Sequence, residues 1–139
     1  MIVDSSALIA IALGEPSSPH LLEILAGADS VKISAANWLE LWMVLDRRTT
    51  EADRNLVDEI LLRLGVDVAP VTAGQAKIAR SAWHRFGKGS GHPAHLNFGD
   101  CFAYALASDF GESLLYVGDD FGHTDIRSAR LRPSEGTVE

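Results

Sequence analysis

Several stretches of this 139-residue chain place an acid where an acid needs a reason. Asp4 ends the apolar start Met1-Ile2-Val3 and is followed by Ser5 and Ser6. Glu40 lies inside the apolar run from Trp38 to Leu45. Asp100 follows a glycine-rich segment and opens another apolar run, and Asp119 and Asp120 follow Leu114-Leu115-Tyr116-Val117. Carboxylates gathered into one place repel, and without a counter-charge some must hold protons. Magnesium or manganese would relieve this, because hard cations take oxygen ligands. Such a cation lowers the pKa of a bound water and neutralises the charge that develops on a phosphodiester. If these acids meet, the chemistry they suit is hydrolysis of phosphate esters.

Each acid also has a plainer reading. Asp4 is a good helix N-cap, and Asp100 near a helix start is a good capping or dipole acid. Glu40 could sit on the exposed face of an amphipathic helix, and Asp119 and Asp120 could be turn residues. The coincidence of all four places is stronger than any one of them.

The elements that must position these groups alternate. Ile2-Val3 reads as a buried strand, with Asp4 at its carboxyl end and Ser5 or Ser6 opening a helix to Leu13. A second short helix runs from His20 to Ala26, after a Pro/Ser loop. Val31 to Ile33 alternates like a strand. Ser34 and Asn37 are candidate caps for the helix that carries Glu40 and ends near Arg47 and Arg48. Thr49-Thr50 caps a further helix with Leu56, Ile60, Leu61 and Leu64 on one face. Val66 to Val71 reads as a strand that Pro70 ends or pushes to an edge. Thr72 caps a helix from Ala73 to Phe86, a loop spans residues 87–97, and a helix runs from Phe98 to Phe110 before the last strand. Strands separated by helices predict an α/β fold with a parallel sheet covered on both faces. In such sheets strand ends and helix starts share one edge, where ligands bind.

Composition bounds the rest. The length suits one domain, and no apolar run reaches the roughly 18 residues a membrane span needs. No basic residue precedes the first apolar run, so a signal peptide is not expected. The single cysteine, Cys101, excludes an intrachain disulfide and suits a reducing cytoplasm. A formal net charge of -7 argues against broad, sequence-blind nucleic-acid affinity, though not against a local basic groove.

The N-terminal Met1-Ile2-Val3-Asp4-Ser5-Ser6-Ala7-Leu8, the helical Glu40, the segment from Leu96 to Ala107 around Asp100, and the close Gly118-Asp119-Asp120-Phe121 together resemble PIN-domain proteins. Within that family the resemblance is to the VapC-type toxin ribonucleases of bacterial toxin–antitoxin pairs. It covers residues 1–131, leaving 132–139 as a polar, frayed tail. It implies a three-layer α/β/α sandwich with a mostly parallel central sheet. It implies a cytoplasmic, magnesium- or manganese-dependent endoribonuclease in which a metal-activated water hydrolyses RNA, a homodimer, and a VapB-type antitoxin that blocks the site. Asp4, Glu40 and Asp100 match the family's principal acids, with Asp4 and Asp100 as metal ligands. Counting back from Phe121 makes Asp120 the fourth acid, with Asp119 as the alternative. Ser5 or Ser6 matches the small hydroxyl that supports the first acid.

Arg80, His84, Arg85 and Lys88 form a basic cluster that could track an RNA backbone, or could be a solvated helix face. Arg80, Arg85 and Lys88 are the candidate RNA contacts. The histidines lack zinc-like spacing, and Cys101 reads as a small core residue. Trp38 and Trp42, one helical turn apart, share a face that suits packing or an antitoxin or dimer contact. Among rival readings, a haloacid-dehalogenase-like phosphatase wants an Asp where Ser6 stands, and a receiver-like domain wants a late lysine that is missing. A non-catalytic PIN-like binding module would have lost its acids, and none is lost.

Overall fold

Ile2 and Val3 point to opposite faces of one strand, and that alternation organises the molecule. The structure, a computed structural model, describes residues 1–130. The expected tail, 132–139, lies outside the described residues. In chain order the elements are β1 (Ile2–Val3), α1 (Ser5–Ala12), α2 (Ser18–Ala26), β2 (Lys32–Ser34), α3 (Ala35–Arg48) and α4 (Glu51–Arg63). They continue with β3 (Asp67–Ala69), α5 (Ala73–Phe86), α6 (Phe98–Phe110), β4 (Leu114–Leu115) and a 3-10 turn at Phe121–His123.

The strands form one sheet in the order β3-β2-β1-β4, and every pairing is parallel. Ile2 pairs with Lys32 on one side and Leu114 on the other. The chain therefore leaves β1 through β2 to β3, then returns to the opposite side of β1 as β4. The reversal of order falls at β1, and Asp4 sits at the carboxyl end of that strand, where open α/β sheets hold ligands.

Each face of the sheet carries its own core. Ile2 and Leu114 pack under α5 and α6 with Ala82, Phe86, Ala103 and Leu106. Val3, Ile33 and Leu115 pack on the other face with Leu8, Leu21, Leu41 and Leu45. This is the expected three-layer sandwich.

Helix starts follow local chemistry. Thr72 Oγ1 accepts from Gln75 N–H at 3.1 Å and opens α5 where expected. Thr50 and Asp53 form a capping box at α4. At the far end of α6, Gly111 adopts φ +63°, a left-handed stop that glycine takes without strain.

Three local expectations are corrected. Asp4 itself is the N-cap of α1, so the helix begins at Ser5 and ends at Ala12 rather than running from Ser6 to Leu13. Asn37 is not a cap; it lies inside α3 and is fully buried. On α4 the inward residue is Val57, while Leu56 is 57% exposed. The apolar run 56–57 and 60–61 supports two phases of the helix, and the packing of α4 against the rest selects the one centred on Val57. The strands are also shorter than their apolar runs: β3 covers Asp67–Ala69 of the expected 66–71.

Candidate active site

The acid edge is built from four elements. Asp4 follows β1 and caps α1: its Oδ2 accepts from Ser6 N–H at 3.1 Å. Its other oxygen, Oδ1, is buried with no hydrogen-bond partner among the described residues. Asp4 is 3% exposed, and a buried carboxylate oxygen without a partner is a costly feature unless something else satisfies it. Burial pushes its pKa up to about 6, against the pull of Ser6 and with a smaller upward push from Glu40.

Asp100 stands at the first turn of α6 in a capping box with Asn97. Asn97 Oδ1 accepts from Asp100 N–H at 2.8 Å, and Asp100 Oδ2 accepts from Asn97 N–H at 3.0 Å. Only Oδ2 of the carboxylate takes part in that box. Burial drives the pKa of Asp100 up to about 7, the Asn97 N–H opposes it, and the charges of Asp4, Asp120 and Glu40 add to it. Acids from the ends of β1 and β4 and from the middle of α3 thus act on one carboxylate at the start of α6. The plainer capping reading of Asp4 and Asp100 is true, and it does not conflict with their place near the other acids. One oxygen of each aspartate caps a helix, which leaves the other for the shared edge.

Glu40 is anchored in the same way. Its Oε1 accepts from Ser5 Oγ at 2.5 Å and from Asn37 Nδ2 at 3.4 Å, and Oε2 lies against Gly99. Ser6 does different work: its Oγ accepts from Val117 N–H at 3.1 Å and ties the strand preceding the Gly118-Asp119-Asp120 turn to the start of α1. The charge of Asp120 in that turn adds to the upward push on Asp100. The carbonyl of Asp119 accepts from Gly122 N–H and closes the turn.

Does a divalent cation fit? The donor set is all oxygen, the unpaired Asp4 Oδ1 faces inward, and Asp100 lies in a field of three other acids. Those features suit a hard cation. Among the described residues the acids do not close into a ready ligand cage of three. Magnesium uses few carboxylates and keeps several waters, so a cage of three protein ligands is not required.

The other candidates separate. Arg80 borders a groove of about 360 Å³ with Trp83, Phe98, Cys101 and Phe102. Arg85 turns away, ion-paired with Asp125 at 3.5 Å and stacked over Phe86. Lys88 is exposed at the start of the loop. Cys101 is buried, and burial with Asp100 beside it pushes its thiol up to about 11, so it is no nucleophile at neutral pH. His92 packs edge-on against Phe86 and accepts from Ala94 N–H through Nδ1, a structural role. Trp38 and Trp42 meet edge to face at 6.3 Å. Sequence reasoning missed Asn37 and Gly99 as parts of this site. The only local signal was the spacing of Asn37 three residues before Glu40, which puts both on one helix face.

Comparison with known proteins bears on the family and the fold. The PIN domain family matches residues 1–127. Ribonuclease VapC28 of Mycobacterium tuberculosis is 48% identical over 129 residues, covering 93% of this chain and 97% of that protein. The crystal structure of Mycobacterium tuberculosis VapC20, a Sarcin-Ricin loop cleaving toxin, superposes with a TM-score of 0.71 at 22% identity, covering 95% of this chain and 98% of that one. VapBC2 from Rickettsia felis, solved bound to a DNA fragment from their promoter, gives a TM-score of 0.68 at 17% identity over 91% of this chain and 94% of that one. With 48% identity over nearly its whole length, the chain belongs to the PIN-domain family, among its VapC ribonucleases.

Proposed function

We propose that the acid edge is the catalytic centre of an RNA-cleaving toxin, working with magnesium or manganese. The observation that carries this is the meeting of Asp4, Glu40 and Asp120 on Asp100, with one buried oxygen of Asp4 left unpaired. Asp4 and Asp100 would hold the cation, each through the oxygen its helix cap leaves free. Once bound, the cation supplies charge neutralisation at the scissile phosphate and an acidified water. The chain's own residues then do three things. The N-terminal turns of α1 and α6 fix the two aspartates rigidly. Ser5 and Asn37 occupy one oxygen of Glu40 and leave the other beside Gly99, the residue before Asp100. Ser6 holds the turn that carries Asp120. Nothing here requires the RNA 2′-hydroxyl as nucleophile, so preference for RNA must come from recognition.

Arg80, Arg85 and Lys88 are the proposed phosphate contacts, in unequal measure. Arg80 lines the groove that reaches Cys101, the residue after Asp100, and has no ion pair among the described residues, whereas Asp125 competes for Arg85. Arg80→Ala should lower the slope of log affinity against log salt by about 1 for an RNA oligonucleotide. Arg85→Ala should change it less. Equal slopes for wild type and R80A would take Arg80 out of the interface.

The partners proposed are a VapB-type antitoxin and a second copy of the chain. The exposed Leu39, Met43, Trp83 and Phe98 are the kind of apolar surface that is covered in an assembly. Among the described residues no helix is long and apolar enough to cross a membrane.

The direct test is a mixed RNA pool incubated with the protein, with magnesium, with manganese, and with EDTA. Cleavage is expected with either metal, with no 2′,3′-cyclic phosphate on the products. Undiminished cleavage in EDTA, or cyclic phosphate ends, would overturn this reading.

A further inference from the structure

Asn37 is fully buried in α3, 62 residues before Gly99, and its amide reaches across to α6. Nδ2 donates to the Gly99 carbonyl at 2.9 Å and lies 3.4 Å from Glu40 Oε1. Both neighbours are acceptors, which fixes the orientation of the amide: turned over, Oδ1 would face two oxygens. The orientation leaves Oδ1 buried without a partner among the described residues. A buried amide left half unsatisfied costs stability, so a contact that it secures elsewhere is the reason to look for.

Gly99 completes the contact from the other side. A Cβ built on it would fall on Glu40 Oε2, 2.9 Å from both Oε1 and the carboxyl carbon. Gly99 has no other need to be glycine, because its φ is not in the left-handed region and alanine is the better helix former. The missing side chain is the space in which the carboxylate of Glu40 lies.

We infer that Asn37 and Gly99 form a clasp between α3 and α6 that positions Glu40, with Asn37 and Ser5 occupying Oε1 and the bare backbone of Gly99 admitting Oε2 to the acid edge. They are positioning residues: neither needs to touch RNA. The inference rests on the proposal that Glu40 belongs to the catalytic centre.

The test uses Gly99→Ala, Asn37→Ala and Glu40→Gln, alone and in pairs with E40Q, on the full-length protein with a defined RNA substrate. In G99A the flexible end of Glu40 can yield, so the fold is expected to hold and the melting temperature to stay level or rise. Its kcat should fall by about 30-fold or more with KM within about 3-fold, the scale of a misplacement near 1 Å. Manganese binding to the metal-free variant, read by calorimetry, should stay within about 3-fold of wild type. N37A should show the same split of kcat from KM. In the E40Q background either change should cost less than about 2-fold more, because a group acting through Glu40 has nothing further to lose. If N37A does not fold, G99A carries the test by itself. Wild-type kcat in G99A while E40Q is inactive would overturn the clasp and leave the catalytic proposal standing. So would losses that multiply with E40Q, or loss of manganese binding in G99A. Full activity in E40Q would remove Glu40 from catalysis and the clasp with it.

Discussion

Asp4→Asn and Asp100→Asn should each lower RNA cleavage by about a thousandfold or more while the protein stays folded. A factor of that size is about 4 kcal/mol of transition-state stabilisation, within what removal of one preorganised charge-stabilising group does elsewhere. The fold should survive for a specific reason. Each aspartate uses Oδ2 as a helix cap, and asparagine accepts the same bonds nearly as well. In the metal-free protein at pH 8 both variants should melt above wild type, because each removes a charge from a buried, mutually repelling group. Full metal-dependent cleavage in either variant would reject the site. So would unfolding of both, since it would make the acids structural.

The second large effect is on metal removal and pH together. EDTA should reduce cleavage to background. The pKa values of Asp4 and Asp100 are raised to about 6 and about 7, so the folded protein binds protons more tightly than the unfolded chain, whose carboxyls titrate near 3.8. Stability of the metal-free protein is therefore fullest below the unfolded value. It is lost as pH rises from about 4 to about 7, the interval between unfolded and folded pKa values. For the buried Asp4, two units correspond to about 3 kcal/mol. Asp100 is partly open to water and adds less per unit. Metal-free protein should melt roughly 10 °C lower at pH 8 than at pH 5, on the usual conversion for a domain of this size. D100N should flatten that slope, and saturating magnesium at pH 8 should restore the loss. Magnesium affinity and cleavage should both rise from pH 6 to pH 7, as protons leave the oxygens that would hold the ion. A metal-free melting temperature that does not fall between pH 5 and pH 8 in wild type relative to D100N would show that Asp100 is not held in this electrostatic environment.

A chain with a net charge of -7 that cleaves RNA has to hold its substrate through few cations, and the proposed contacts at Arg80 and Arg85 differ in how available they are. Among the described residues Arg80 has no ion pair, and Arg85 is engaged by Asp125. Part of the negative balance is the acid cluster itself, whose charge a bound cation would offset.

What was legible in the sequence was local. The apolar pair before Asp4, the cap at Thr72, the run from Phe98 to Phe110 and the alternation of strands with helices depend on contacts within a few residues. They define α5, α6, the parallel sheet and the acids at its edge. What only the tertiary structure decided depends on groups far apart in the chain. The inward phase of α4 at Val57 rather than Leu56 is set by what α4 packs on. The turn that carries Asp119 and Asp120 is tied to the start of α1 by the hydrogen bond from Val117 to Ser6, 111 residues apart. The place of Asn37, which as a polar residue before a helical run looks like a cap, is set by a glycine carbonyl on α6. Helical and strand periodicity record which side of an element is apolar. They carry no information about which atom of another element will lie against it, because that is fixed only when the layers close.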